Sequence, residues 1–294
     1  MPELPEVETV CRGLAPKLEG RRIAKAHVKT AKLRFALPRD FSEKMTGARI
    51  MRLTRRAKYL LADMRDRQDN GFYWLSHLGM TGRFTWHETK GATGFDPTRY
   101  AHDISNEAAV RHIHLALELD DGSHLTYADP RRFGFMDIID AALDTNRFLA
   151  QIGPEPLGNR FNEAHLLAAC ENRQTPIKNL LLDQHIVAGL GNIYVCEALF
   201  RAGISPRRKA ANLGAKRAAR LVPAIRAVLG EAIAAGGSTL RDFAASDGAL
   251  GYFQHGFAVY DRTGKPCSRD GCNANVARIV QSGRSSFYCP TCQR

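Results

Sequence analysis

Cys267, Cys272, Cys289 and Cys292 fall within the last 28 of 294 residues, spaced Cys-x4-Cys-x16-Cys-x2-Cys. Each close pair can form a knuckle, and together they offer the four thiolates of a tetrahedral zinc site. Such a site keeps no open position for water, so its work is to fold a short tail rather than to catalyse. The alternative is four unrelated thiols, against which their crowding in an otherwise cysteine-poor chain argues. At the other end, proline follows the initiator methionine. Removal of Met1 leaves Pro2 with a free secondary amine, and an α-amino pKa of about 8 keeps a sizeable fraction unprotonated at neutral pH. Such an amine can attack a sugar C1′ and form an iminium, the electron sink that a lysine Schiff base also provides. Glu3 lies beside it as a candidate acid or base. Many chains begin Met-Pro, so this pair carries little weight alone.

Three further runs combine polar groups with tight turns. Asp129-Pro130-Arg131-Arg132-Phe133-Gly134 sets two arginines beside an aromatic, which suits phosphate contact with insertion into a base stack. The alternative is a solvated turn with Phe133 in the core. His77-Leu78-Gly79-Met80-Thr81-Gly82 places Met80 between glycines, either as an exposed wedge or as a core residue. In the third, Thr175 can cap and Pro176 can open a helix, with Lys178 in its first turn. Gly189 and Gly191 permit tight turns before Asn192, which can cap a helix starting at Ile193. A helix start of this kind is a ready phosphate site, although an ordinary helical packing unit fits the same residues.

The elements that must hold these groups change character along the chain. Val7, Val10, Leu14 and Leu18 recur at helical spacing over residues 1–20, with Pro5 and two glutamates at the start and Gly20 closing the segment. Strand-like runs follow from about 21 to 145, at Arg49–Thr54, Tyr59–Met64, Phe72–Leu78, 112–119 and Phe135–Ile139, separated by turn residues. Ile113, Leu115, Leu117 and Leu119 alternate with His112, His114, Ala116 and Glu118, which predicts a half-buried strand. Several short strands at this spacing predict a sandwich or barrel. The polar run from His87 to Asn106 reads as a long surface loop. Beyond Pro156 the pattern predicts helices at Glu163–Cys170, Pro176–Asp183, Ile193–Arg201, Ala215–Ala235 and Leu240–Ala245. The tail from Gly256 is strand-like.

Forty-two Lys and Arg against 30 Asp and Glu give a net charge of +12, and residues 201–241 hold nine cations against one acid. This balance points to a polyanionic partner, with nucleic acid, ribosome and anionic lipid all compatible. No apolar run approaches the roughly 18 residues of a membrane span, and the acidic N-terminus is not a secretory signal. An odd cysteine count without such a signal is no disulfide framework.

Taken in order, PELPEVE at 2–8, RRAKYLL at 55–61, SHLGMTG at 76–82, DPRRFG at 129–134, TPIK, GLGNIYVCEALF, SDG at 246–248 and the terminal cysteines resemble bacterial formamidopyrimidine-DNA glycosylases over the whole chain. The resemblance implies an α+β fold: an N-terminal helix and β-sandwich over 1–145, a helix–two-turns–helix domain over 146–255, and a β-hairpin zinc finger over 256–294, with one structural Zn2+. DNA would lie between the halves. It implies that Pro2 displaces the damaged base and holds the sugar as a Schiff base, and that Glu3 protonates the sugar as its ring opens. Lys58 would serve β-elimination, and Arg284, at the tip of the zinc hairpin, δ-elimination and phosphate binding. Glu6 and Glu197 match carboxylates near the active site. Met80, Arg131 and Phe133 would fill the void left by the flipped base, with Arg131 facing the opposite cytosine. His112, Arg132, Lys178 and Asn192 would grip the bent backbone.

Three departures from the family pattern stand out. The first cysteine pair is separated by four residues, Ser268 to Gly271, where two are familiar. Gln174 replaces a basic residue, and Arg173 could substitute for it. Ala249-Leu250 stands where Lys-Pro is common, in the loop that closes over oxidised guanine in the family. The implied partner is duplex DNA carrying oxidised bases, bound by a cytoplasmic, nucleoid-associated monomer without a membrane segment. Two other readings are an endonuclease VIII-like enzyme for oxidised pyrimidines and a non-catalytic zinc-finger protein recognising lesions. Leu4 and the Arg131/Phe133 pair favour the purine branch over the first, and the presence of Pro2, Glu3 and Lys58 favours an enzyme over the second.

Overall fold

The structure, a computed structural model, describes residues 2–88, 111–238 and 253–294. The expected helix at Leu240–Ala245, the SDG run, Ala249-Leu250 and most of the 87–106 loop lie outside these residues. The chain forms two compact units. The first is built on Glu6–Ala150 and takes in Pro2 and Ser238. The second is built on Gln151–Gly237, the chain from 253 to 294 and the short run Glu3–Pro5.

In the first unit, helix α1 (Leu4–Leu18) is followed by β1 (Ile23–Val28), the short α2 (Phe41–Met45), β2 (Arg49–Arg56), β3 (Tyr59–Arg65), β4 (Gly71–His77), β5 (Arg83–His87), β6 (Ile113–Leu119), β7 (His124–Ala128) and β8 (Phe135–Ile139). Two four-stranded antiparallel sheets result, ordered β1-β6-β7-β5 and β2-β3-β4-β8. Val10, Leu14 and Leu18 of α1 join Leu117 and Tyr127 of one sheet and Met64 and Trp74 of the other in a single buried cluster. This is the expected sandwich with its N-terminal helix.

The sequence pattern misses β1, β5, β7 and α2. All five residues of β7 are buried although His124 and Thr126 are polar, so the enclosure of this strand is not visible in its sequence. The edge strand β1 reads Ile-Ala-Lys-Ala-His-Val and carries a bulge at Ile23–Lys25, which breaks the period. Strand β6 is buried more fully than its alternation predicts: His114 and Ala116 are also enclosed, and His114 Nε2 bonds the Asp129 carbonyl at 2.9 Å.

The second unit holds α3 (Glu163–Cys170), α4 (Ile177–Leu181), α5 (Asn192–Ala202), α6 (Ala215–Ala234) and the hairpin β9 (Ala277–Gln281) and β10 (Arg284–Tyr288). Asn162 caps α3, its side chain accepting the His165 N–H at 2.9 Å. The hairpin pairs Arg284 with Gln281. Its two-residue turn uses Ser282 and Gly283 at φ 46° and 72°, the left-handed pair that a tight hairpin turn demands. No described helix is long and apolar enough to cross a membrane.

Candidate active site and nucleic-acid contacts

Pro2 and Glu3 are both buried. In the second unit the Glu3 carboxylate accepts the backbone N–H of Ile193 at 3.1 Å and of Tyr194 at 3.5 Å. These are orphan donors of the first turn of α5, so the carboxylate also meets the positive end of the helix dipole. This corrects the expected role of Asn192. The N-cap position is Gly191, which offers no side chain, and Asn192 begins the helix. The local competition is between an amide cap and a carboxylate 190 residues away, and the charged acceptor takes the site. The same contact fills the helix start that the sequence offers as a phosphate site.

Two glycines make this seat possible. A Cβ on Gly191 would stand 2.1 Å from Glu3 Cδ. Gly189, at φ +78°, accepts the Leu4 N–H at 3.1 Å, and a Cβ there would lie 2.7 Å from Leu4 Cδ1. Gln184, which the motif reading passes over, pins this loop: its Oε1 accepts the Gly189 N–H at 2.8 Å and its Nε2 donates to the Leu190 carbonyl at 2.9 Å. Thr175 does not cap α4 either. Pro176 holds the N-cap position, without a side-chain bond.

Lys58 lies in the two-residue connection between β2 and β3, after Ala57 at φ 53°. It is buried, 7% exposed. His77 is the second residue missed by the motif reading, although it opens HLGMTG. Burial foremost, then the positive charges of Lys58 and Arg34, push its imidazole down to about 4. Its neutral Nδ1 accepts the Gly79 N–H at 3.0 Å, and its ring stacks on Phe135 at 5.3 Å.

Asp129, fully buried, ties two loops together. One carboxylate oxygen accepts the Thr81 hydroxyl at 2.5 Å, and the other accepts the Gly134 N–H at 2.8 Å. Thr81 Oγ1 in turn accepts the Arg131 N–H at 3.3 Å. The backbones touch so closely that a Cβ on Gly79 would lie 2.3 Å from Gly134 N. Met80, Arg131 and Phe133 therefore belong to one rigid constellation. Phe133 is 44% exposed, which excludes the core reading of that residue. The Arg131 guanidinium lies 4.7 Å from the centre of its ring. Arg132, at φ 55°, is exposed, while Met80 and His112 are half-buried.

In the second unit, Lys178 is fully buried, and burial pushes its ammonium pKa down. Its Nζ donates to the Ser285 carbonyl at 3.0 Å, and Asn192 Nδ2 donates to the same oxygen at 2.9 Å. Both residues thus hold the strand that presents Arg284, itself exposed at the start of β10. Asn179 Nδ2 steadies the hairpin turn through the Ser282 hydroxyl at 2.8 Å. Arg173 and Gln174 are exposed ahead of α4. The two remaining glutamates are occupied by backbone. Glu6 accepts the N–H and hydroxyl of Ser238, each at 2.9 Å. Glu197 accepts the N–H groups of Ala258, Val259 and Tyr260 at 2.8–3.0 Å, anchoring the chain as it enters the cysteine tail.

The four cysteine sulfurs lie within 4.8 Å of one another. Cys267 and Cys292 are 3.9 Å apart, and Cys272 and Cys289 are 3.7 Å apart. A tetrahedron with Zn–S bonds of about 2.3 Å has S–S edges of about 3.8 Å, so the donor set fits one structural zinc. The enlarged first knuckle closes without difficulty, helped by Gly271 at φ +72°. The other three cysteines are core thiols: burial raises Cys11, Cys170 and Cys196 each to about 11.

Comparison with known proteins places this arrangement. Residues 1–136 match the formamidopyrimidine-DNA glycosylase N-terminal domain, 152–244 the H2TH domain of the same enzymes, and 264–294 a zinc finger found in FPG and IleRS. Formamidopyrimidine-DNA glycosylases of Ruegeria pomeroyi and Cereibacter sphaeroides are each 55% identical to it, with both chains covered completely. The MutM (FPG) protein of Thermus thermophilus superimposes with a TM-score of 0.82 at 37% identity, over 99% of this chain and 98% of its own. A point mutant of the Lactococcus lactis FPG in complex with Fapy-dG containing DNA gives a TM-score of 0.82 at 32% identity, with both chains covered completely. These matches define a DNA glycosylase of the helix–two-turns–helix, zinc-finger class. The chain belongs to the formamidopyrimidine-DNA glycosylase family.

Proposed function

We propose that the chain is a bifunctional DNA glycosylase and AP lyase of base excision repair, acting on oxidised purines such as 8-oxoguanine and formamidopyrimidines. The observation that carries this reading is the seating of Glu3 on α5, which fixes the carboxyl group next in sequence to the Pro2 amine. After removal of Met1, the Pro2 nitrogen attacks C1′, the C1′–N bond to the base breaks, and the base leaves with its bonding electrons. The Glu3 carboxylate takes the proton that the Pro2 nitrogen releases and delivers it to the ring oxygen as the sugar opens to the iminium. Loss of a C2′ proton, with Lys58 in attendance, expels the 3′-phosphate. A second elimination assisted by Arg284 expels the 5′-phosphate, and water then releases Pro2. Zinc, when bound, fixes the fold of the hairpin that carries Arg284.

Met80, Arg131 and Phe133 fill the space of the extruded nucleotide, at a flipping cost of a few kcal/mol. His112, Arg132 and Arg173 hold the backbone, with Gln174 beside them, while Lys178 and Asn192 act from behind by fixing the Ser285 carbonyl next to Arg284. The domains are 1–145, 146–255 and 256–294, and the protein works as a monomer in the cytoplasm, associating with the nucleoid during repair. Borohydride trapping on an 8-oxoguanine duplex tests the reading: a covalent adduct is expected and should vanish in Pro2→Gly. No adduct, or undiminished yield from that variant, overturns it, as does a native mass that retains Met1. Thymine glycol should be excised more slowly than 8-oxoguanine opposite cytosine; the reverse order indicates the pyrimidine branch. The L. lactis enzyme has also been crystallised with DNA containing an oxidised pyrimidine, at 32% identity and a TM-score of 0.82.

A further inference from the structure

The second unit carries a strip of cations that the steps above leave largely unused. Residues 173–176 run beside 208–211. The Ile177 N–H donates to the Arg208 carbonyl at 2.7 Å, that of Ala210 to Thr175 at 2.9 Å, and that of Ala211 to Arg173 at 2.9 Å. This ribbon sets Arg173 alongside Arg207, Arg208 and Lys209. Helix α6 follows at once, with Lys216, Arg217 and Arg220 in its first two turns. Arg173, Arg207, Lys209, Lys216 and Arg220 are exposed, and Arg208 and Arg217 half-buried. Among the described residues none of the seven forms an ion pair. Glu231 is gripped by both arms of Arg201, and Asp183, which shares a groove with Arg173, bonds to His185.

The placement works against local electrostatics. Lys216 and Arg217 occupy the positive end of a 20-residue helix that has no acidic residue in its first turn. Arg208 is crowded by Arg217, and burial together with that charge lowers its guanidinium pKa. Like charges gathered in this way are relieved when a polyanion neutralises them, and such breaches of local consistency concentrate at functional surfaces. We propose that the ribbon and the first two turns of α6 form a second backbone-binding surface for duplex DNA, which takes phosphates away from the damaged nucleotide.

The strip's composition selects the occupant. Single-stranded nucleic acid is gripped by stacking on aromatic rings, and neither 173–176 nor 207–220 contains one. An anionic membrane surface needs apolar side chains to insert. The apolar face of α6, with Leu221, Val222, Ile225, Val228 and Leu229, is buried, and no large hydrophobic residue of the strip is exposed. A row of cations without aromatic or exposed large apolar neighbours fits the uniform charge of a duplex backbone.

The test is a salt titration of affinity for an undamaged duplex of about 30 base pairs, comparing the native protein with an Arg207→Gln, Lys209→Gln, Lys216→Gln triple variant. With about 0.9 in slope per phosphate neutralised, log K against log salt should become shallower by about 2.7, with a loss of tenfold or more at low salt. Single-turnover excision of 8-oxoguanine at saturating protein should stay unchanged, which separates loss of the strip from loss of the catalytic reading. The single variant Lys216→Gln, expected to change the slope by about 0.9, serves if the triple variant does not fold. An unchanged slope in both, or a loss confined to single-stranded RNA or to phosphatidylserine vesicles, overturns the proposal.

Discussion

The carboxylate of Glu3 is bonded to the backbone N–H of Ile193, 190 residues along the chain. A residue that the sequence presents as a free acid beside an amine is thus the cap of helix α5. Its orientation is set by a loop whose residues have no chemistry of their own. Leu4 bonds to Gly189, Gly189 bonds to Gln184, and Gly191 is bare because Glu3 occupies the space of its side chain.

Gly191→Ala should therefore damage chemistry more than stability. The added methyl meets Glu3 Cδ at 2.1 Å, and Gly191 itself is extended at φ −137°, so alanine brings no backbone strain. Displacement of a catalytic group by about 1 Å costs on the order of 100-fold in rate. The expected outcome is a borohydride adduct forming roughly 10- to 100-fold more slowly on that scale, with duplex affinity near native. An adduct rate equal to the native rate would show that Glu3 has no positional role.

Asp129→Ala should cost both stability and base excision. The buried carboxylate satisfies Thr81 and Gly134 together, and its loss leaves buried donors unpaired at about 1–3 kcal/mol each. The loops carrying Met80, Arg131 and Phe133 lose their common anchor. Denaturant melts should show the destabilisation, and 2-aminopurine fluorescence beside the lesion should show slower extrusion than in a Phe133→Ala control of native stability.

The readable parts of this chain are those whose signals are local. The four cysteines and the strand runs at Tyr59–Met64 and Phe72–Leu78 depend on neighbours in sequence, and they lie where the pattern puts them. The enclosure of β7 is illegible because two of its buried residues, His124 and Thr126, are polar, and β1 is illegible because a bulge interrupts its period. At the site, Pro2, Glu3 and Lys58 stand out through family motifs, whereas their supports do not. Gln184 and Asp129 act through backbone contacts made only after folding. Asn192 misleads because an internal cap is visible in sequence and a carboxylate arriving from residue 3 is not.

His77 predicts a stability slope in acid. Its pKa falls from 6.5 to about 4 in the folded protein, chiefly by burial and then by Lys58 and Arg34. Between those values the unfolded chain binds the extra proton, so stability is full above pH 6.5 and is lost as the pH falls toward 4. The shift corresponds to about 3 kcal/mol. Urea melts from about pH 7 to about pH 4.5, across the window that the linkage sets, should show this loss, and His77→Gln should flatten it. Lys58→Met should raise the imidazole pKa in an NMR titration by removing one of the two nearby cations; an unmoved resonance would mean that Lys58 does not act on His77.

Zinc removal should disarm Arg284 while leaving the sandwich folded. The hairpin has a small core in which Cys267 and Cys289 pack with Cys196, Phe200, Val259, Val276 and Phe287. Without metal, four thiolates must protonate or repel one another, and a core of this size does not hold the hairpin alone. The Ser285 carbonyl then withdraws from the buried Lys178 ammonium and the half-buried Asn192 amide at once. Chelation is thus expected to abolish binding to lesion duplex and to lose β9–β10 signals while those of β2–β4 persist. Thiol titration provides an independent count. Of the seven cysteines, Cys11, Cys170 and Cys196 are buried and held at about 11. The metal-free protein should therefore expose the four zinc ligands to a disulfide reagent at about pH 8, near the ordinary thiol pKa, with Cys196 following as the hairpin core it packs in opens, and only denaturant should release Cys11 and Cys170. Full duplex affinity in a metal-free sample would show that the hairpin does not need zinc to present Arg284.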